Sequence, residues 1–319
     1  APPEGRVDAH ARWPVGTTYL QSRRRRMQGV GGSRAIALGM VAMVIFFVAM
    51  SQLGSEHTPP LGQLLVYAHR AACGGACEQQ HGAHAAGSLP ALRALASSGI
   101  CRFDVDSFRT ADGTLVVGHP TEVQFRLRLP SSPERMTLKE LRAQDGGQIA
   151  ALRDFMAEAT RLCGSTMRQG GVFPALLVEP KGAAMAAADT TVRELAAMAQ
   201  EEIGPGKGVL AVWLESDQVA SVLQKPLAPL YAIKARQLSP EGRQLTRADV
   251  RRAGGWLGTG PYWKLLTHDF VREAHGLGQR VMTWVVNEDD AVHTALLMGV
   301  DAVVSDDPLM LTKKLATTR

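Results

Sequence analysis

Aromatic residues are scarce in this chain. Phe, Tyr and Trp make up 5% of 319 residues, while hydrophobic residues make up 45%. There is enough apolar material for a proper core, and that core is expected to be aliphatic, built from Ala, Leu and Val. Cysteine is nearly as rare, with four in all: Cys73, Cys77, Cys101 and Cys163. No second Cys or His pair has a spacing that matches Cys73 and Cys77, which argues against a zinc site. The stretch Cys73-Gly-Gly-Ala-Cys77 either closes a small disulfide loop or carries two free thiols in a glycine-rich turn. No internal repeat is visible. The formal net charge is +5, but the basic residues are not spread over a face. Arg23, Arg24, Arg25 and Arg26 form one block, with Arg34 just after, so the basic balance belongs to a tail and does not point to nucleic acid.

Long apolar runs are missing too, with one exception. Residues 35–53 read AIALGMVAMVIFFVAMSQL without a charge. A helix needs about 20 such residues to cross a bilayer. Arginines lie on the N-terminal side of the run and no Lys or Arg lies close on the other. The positive-inside rule then puts residues 1–34, a basic disordered tail, in the cytosol. Residues 35–53 become a transmembrane signal-anchor and 54–62 a linker. Residues 63–319 become an extracytoplasmic or lumenal domain of a single-pass type II protein. A cleaved signal peptide is the competing reading.

From Gln63 onward, strand-like and helix-like runs alternate. Strands are expected at 64–68, 102–106, 175–178, 209–214, 230–233, 256–259, 281–286 and 302–304, with 114–118 as a hairpin arm after the turn signal Asp112-Gly113. Helices are expected at 89–98, 152–162, 191–202, 268–275 and 290–298, with Gly99 and Gly299 as stops. Residues 121–148 break the pattern. This alternation is the signature of a (β/α)8 TIM barrel. In such a barrel the C-terminal strand ends converge on one rim, where chemistry happens. His69-Arg70, Asp104-Val105-Asp106, Gly118-His119, Glu179-Pro180-Lys181 and Trp284 through Asn287 fall at such ends. Two histidines, three carboxylates and a lysine on one rim make a metal-assisted acid/base site.

Taken in order, these motifs resemble the glycerophosphodiester phosphodiesterase family. The resemblance rests on Tyr67-Ala68-His69-Arg70, on Phe103-Asp104-Val105-Asp106 with Thr110 to His119, and on Leu177 to Lys181. It rests also on Phe270 to His275, on Trp284 to Asn287 and on Gly299 to Asp306, and it spans about residues 64–316. It implies a metal-dependent hydrolase of a glycerophosphodiester or lysophospholipid, which the apolar run at 35–53 would anchor to a membrane. It implies His69 and His119 as the proton-transferring pair, with a substrate hydroxyl attacking phosphorus to give a cyclic phosphate.

Asp104, Asp106 and Glu179 would then be hard oxygen ligands for a divalent metal, Mg²⁺ or Ca²⁺. Residues 104 and 106 are two apart on a strand and face the same way. Arg70, Lys181 and Trp284 would contact substrate. Glu179 in an apolar strand is costly unless metal-bound or paired, and a salt bridge to Lys181 is the other reading of it. His268 and His275 are expected on an exterior helix face.

The chain departs from the family's pattern in three places. Asp104 stands where Glu is usual, a Cys- and Gly-rich loop at 71–88 replaces the usual run after the first histidine, and Pro120 replaces the usual Asp after the second. Two further readings stay open: a related barrel hydrolase acting on another phosphodiester such as a sphingolipid, and an inactive barrel used for binding or trafficking.

Overall fold

The first strand, β1 (Leu65–His69), starts a run of parallel strands that closes on itself. A computed structural model of the chain describes residues 64–168, 175–204, 210–214, 230–233, 258–276 and 279–317. The tail, the signal-anchor and the linker expected over 1–62 lie outside the described residues. Among the described residues no helix is long and apolar enough to cross a membrane.

The other strands are β2 (Phe103–Arg109), β3 (Leu115–Val117), β4 (Leu176–Pro180), β5 (Leu210–Leu214), β6 (Leu230–Ile233), β7 (Gly258–Thr259), β8 (Arg280–Thr283) and β9 (Ala302–Ser305). Their order is β1-β9-β8-β7-β6-β5-β4-β2-β3, and an extra β1–β2 pairing closes the ring. β3 runs antiparallel to β2 and stands outside the ring. Setting it aside leaves eight of nine strands, all parallel to their neighbours, which is the (β/α)8 barrel that the alternation implied.

The helices of the described residues are α1 (Ala76–His81), α2 (Leu89–Ser97), α3 (Pro120–Arg126), α4 (Leu138–Gln144), α5 (Leu152–Arg168), α6 (Gly182–Ala186), α7 (Ala188–Glu202), α8 (His268–Gly276), α9 (Asp289–Met298) and α10 (Pro308–Thr317). Local chemistry explains several boundaries. Ser88 caps α2 by accepting from the Ala91 amide at 3.2 Å. Gly299, at φ 71°, ends α9 in the left-handed conformation that glycine adopts without penalty. The irregular stretch after β3 holds two helices that periodicity did not reveal. α3 is short and starts with Pro120 behind His119, and α4 is fixed by a capping box between Thr137 and Glu140.

Inside the barrel Tyr67, Leu177, Met282, Ala302 and Val304 pack together. A larger cluster lies between the strands and α2, α5 and α7, and another under α8 and α9. Most of this material is aliphatic, as the composition implied. Five of the aromatics nevertheless take part in the core: Tyr67, Phe103, Phe108, Phe155 and Phe270 are fully buried. Phe103 and Phe155 meet edge to face at 5.9 Å, tying β2 to α5. Two disulfides staple the shell. Cys73–Cys77 closes the loop after β1, and Cys101–Cys163 joins the approach to β2 to α5.

Candidate active site

Parallel pairing aligns the functional strand ends. His69 pairs in register with Asp104, and Asp106 with Glu179, so β1, β2 and β4 deliver these four side chains as lateral neighbours. Asp104, Asp106 and Glu179 are 5%, 6% and 2% exposed. Carboxylates this deep need counter-charge. Lys181, just past β4, supplies part of it. Its Nζ lies 3.2 Å from Asp106 Oδ1 and also contacts Glu179 Oε1. The salt bridge left open for Glu179 is thus present, and Lys181 rests among the carboxylates. Arg70 Nε lies 3.0 Å from Asp106 Oδ2, while its Nη1 pairs with Glu122 on α3.

His119 arrives by a different route. β2 and β3 form the hairpin, and Gly118 (φ 144°) turns the chain out of β3 with its amide on the Asp106 carbonyl at 2.9 Å. A side chain at 118 would press Val123 at 3.0 Å, so the turn requires glycine. His119 follows and starts α3. Burial pushes its pKa below the ordinary value, with Lys181 and Arg70 adding to the effect against the opposing pull of Asp106 and Glu179. A cavity of about 490 Å³ is lined by His119, Asp106 and Arg70 together. His69, Asp106, Glu179, Arg70, Lys181 and His119 therefore belong to one constellation on the C-terminal rim, and strand register puts Asp104 beside His69.

Two residues that carried no role in the sequence reading complete it. His69 Nδ1 lies 2.6 Å from Asp306 Oδ1, at the end of β9. Asn287 Nδ2 donates to Asp306 Oδ2 at 2.6 Å, and Asn287 Oδ1 accepts from the Asp306 amide at 2.9 Å. The hydrogen bond with His69 holds the Asp306 carboxyl below its ordinary pKa range, against a counteracting cost of burial. The visible signal was a charged residue just past a barrel strand, Ser305-Asp306-Asp307, the position from which barrels deploy functional groups.

The glycine-rich loop at Cys73–Cys77 packs against this turn. The Ala76 amide donates to Asp307 Oδ2 at 2.9 Å. A Cβ at Gly74 would lie 2.7 Å from the Asp306 carbonyl oxygen, so the loop approaches only because side chains are missing there.

Trp284 lies to one side. Its Nε1 donates to the Gly260 carbonyl at 2.8 Å and its ring stands 5.5 Å from Tyr262, both lining a small hollow of about 180 Å³ with Asn287. Asp301, quoted among the same motifs, sits at the opposite rim just ahead of β9. It pairs there with His275 and Arg280 at 2.8 and 3.0 Å.

A metal is compatible with the donor set, since Asp104, Asp106 and Glu179 offer oxygen alone, as Mg²⁺ and Ca²⁺ prefer. They are three carboxylates against the two cations, Lys181 and Arg70, that pair with Asp106 or Glu179. Among the described residues no group of three or more His, Cys, Asp or Glu side chains is arranged to hold an ion. With Lys181 bridging Asp106 and Glu179, coordination requires its ammonium to withdraw.

Comparison with known proteins bears on the fold and the family. No curated protein matches the chain. Among solved structures, a glycerophosphodiester phosphodiesterase from Parabacteroides distasonis is 18% identical with a TM-score of 0.60, covering 81% of this chain and 98% of its own. One from Thermotoga maritima is 14% identical with a TM-score of 0.58, covering 79% and 98%. An Oleispira antarctica phosphodiesterase, solved with the product sn-glycerol-3-phosphate, is 15% identical with a TM-score of 0.56, covering 79% and 96%. At these identities the likeness is one of fold. The model of the glycerophosphoryl diester phosphodiesterase family matches residues 81–310. By that match the chain belongs to the glycerophosphoryl diester phosphodiesterase family and is a phosphoric diester hydrolase.

Proposed function

We propose that this barrel hydrolyses a glycerophosphodiester or its acylated form, a lysophospholipid, through a cyclic phosphate, with His69 and His119 carrying the protons. The observation that supports this most is the lateral register of His69 with Asp104 and of Asp106 with Glu179, beside the cavity that His119 lines. His119, whose pKa burial pushes down, takes the proton of the substrate hydroxyl that attacks phosphorus. His69 is fixed through Nδ1 on Asp306, so Nε2 is the nitrogen that hands a proton to the departing alcohol oxygen. In the second half the roles reverse as water opens the ring. Arg70 and Lys181 complement the phosphate charge, and Trp284 flanks the substrate.

Asp104, Asp106 and Glu179 would hold the divalent metal, Mg²⁺ or Ca²⁺, which supplies charge neutralisation at the phosphoryl oxygens. A glycerophosphodiester would then yield sn-glycerol-3-phosphate, the product bound in the Oleispira antarctica protein, and a lysophospholipid would yield its acylated form.

Residues 35–53 anchor the protein in a membrane with the barrel on the extracytoplasmic or lumenal side. The arginine asymmetry supports this, as do two disulfides in the barrel, bonds that persist in oxidising compartments. The test is turnover of glycerophosphocholine, glycerophosphoinositol and lysophosphatidylcholine by the purified full chain. Excess chelator is expected to abolish activity and Mg²⁺ or Ca²⁺ to restore it, and full activity in chelator would overturn the metal assignment. Protease added to sealed vesicles reports the side on which the barrel lies.

A further inference from the structure

The cavity of about 490 Å³ beside the catalytic residues is far from uniform. At one end Arg70 pairs with Asp106 and Glu122, and His119 stands with them. The remaining wall is mainly apolar, with Ala85 and Ala86 from the loop after α1, Val117 from β3, Val123 and Phe125 from α3, and Ile149, and its rim carries Thr121, Arg126 and Gln148. Val123 and Ile149 belong to a packed cluster with Phe108, Val116 and Leu141, so this wall is built and supported. Phe125 is 87% exposed, an apolar lip on the same cavity. A binding cleft of this size suits a ligand well beyond a glycerol and a small alcohol. A polar, proton-transferring end that carries the Arg70 guanidinium, continuous with an apolar trough, complements one kind of molecule: a phosphodiester, whose anionic oxygens Arg70 can pair with in place of its carboxylates, that carries a single hydrocarbon chain.

We propose that this trough, between the loop at Ala85–Ala86 and α3, seats the hydrocarbon chain of the substrate and makes the enzyme selective for long-chain lysophospholipids over short diesters. The inference rests on the phosphodiesterase reading above and adds to it the element that reads the chain. α3 is the piece that follows His119 directly, so the same short helix carries the catalytic imidazole at its start and the lip of the trough near its end. Catalysis and chain recognition are thereby built on one segment.

The experiment measures kcat/KM of the full-length protein, with Mg²⁺ or Ca²⁺ present, for glycerophosphocholine and for lysophosphatidylcholines from hexanoyl to dodecanoyl, each below its micelle concentration. Seated methylenes are expected to raise kcat/KM by up to about fourfold each, the factor that corresponds to about 0.8 kcal/mol per buried CH₂. Phe125→Glu and Ala86→Trp alter exposed positions that do not support the core, and each is expected to flatten that rise. Turnover of glycerophosphocholine with no dependence on chain length overturns the trough and leaves the phosphodiesterase reading standing. A rise that both variants preserve also overturns it, because the chain then lies elsewhere. Failure to turn over any member of the series overturns both.

Discussion

His69 Nδ1 rests on Asp306, and Asp306 in turn is gripped by Asn287. A ring fixed in this way presents one nitrogen in one direction, which is what proton transfer to a departing oxygen demands. His69→Ala and His119→Ala are each expected to lower kcat by about 10²–10⁴, with the double variant little worse than either because the two act as a unit. Asp306→Asn is expected to cost about 10–100-fold in kcat with KM nearly unchanged, by analogy with the loss when the outer partner of a metal-binding histidine is replaced. Steady-state kinetics of the four variants check this, and near-normal turnover in either histidine variant would make that residue a packing group.

Asp301, on the opposite rim, ties β9 to His275 and Arg280. Burial pushes its pKa up, but the hydrogen bonds from His275 and the Val281 amide, with Arg280 beside it, hold it below the ordinary value. A depressed carboxyl stabilises the fold above its unfolded pKa of about 3.9, and that stability is lost as pH falls through the lower folded value. The melting temperature should therefore drop below about pH 4, and Asp301→Asn should flatten that drop. At neutral pH the variant should be less stable by about 2–3 kcal/mol, since charge-assisted hydrogen bonds are removed.

Among the elements, the strands were the most legible. Leu230–Ile233 matches its expected bounds, and β1, β4, β5 and β9 shift by a residue or two at their ends, because short apolar runs between turn residues have little freedom. α3 and α4 were not legible, because each is only 7 residues long, too short for a helical period to emerge. The capping box Thr137-x-x-Glu140 was the available clue. His119 could be found as the end of a hairpin arm, but its partner Glu122 to Arg70 could not, since that contact depends on how α3 folds back.

The disulfides divide along the same line. Cys73–Cys77 was one of the two readings that its spacing allowed. Cys101–Cys163 was not readable, because the two meet only through the packing of α5 beside β2. In the chain-entropy model the long loop gives about 4 kcal/mol and the short one about 2 kcal/mol. Removal of Cys101–Cys163 should therefore cost more in urea unfolding. Removal of Cys73–Cys77 should cost more in kcat than in stability, because its loop backs directly onto the Asp306–Asp307 turn.

For the molecule as a whole, the barrel was readable from alternation alone, while the coupling of its first strand to its last was not. Each run states what it forms and only closure states what it meets. β1 pairs with β9 along four residues, from Leu65–Ala302 to Ala68–Ser305. His69 and Asp306, at the ends of those strands, are separated by 237 positions in the chain. A chain cut between α9 and β9 would still hold His69, His119, Asp104, Asp106 and Glu179, yet it would lack the carboxylate that aims His69. Competence is therefore a property of the assembled chain. Two fragments split at Gly299 are each expected to be silent, and mixing them should restore turnover only as the last strand docks, so that recovery of activity becomes a clock for the final step of folding.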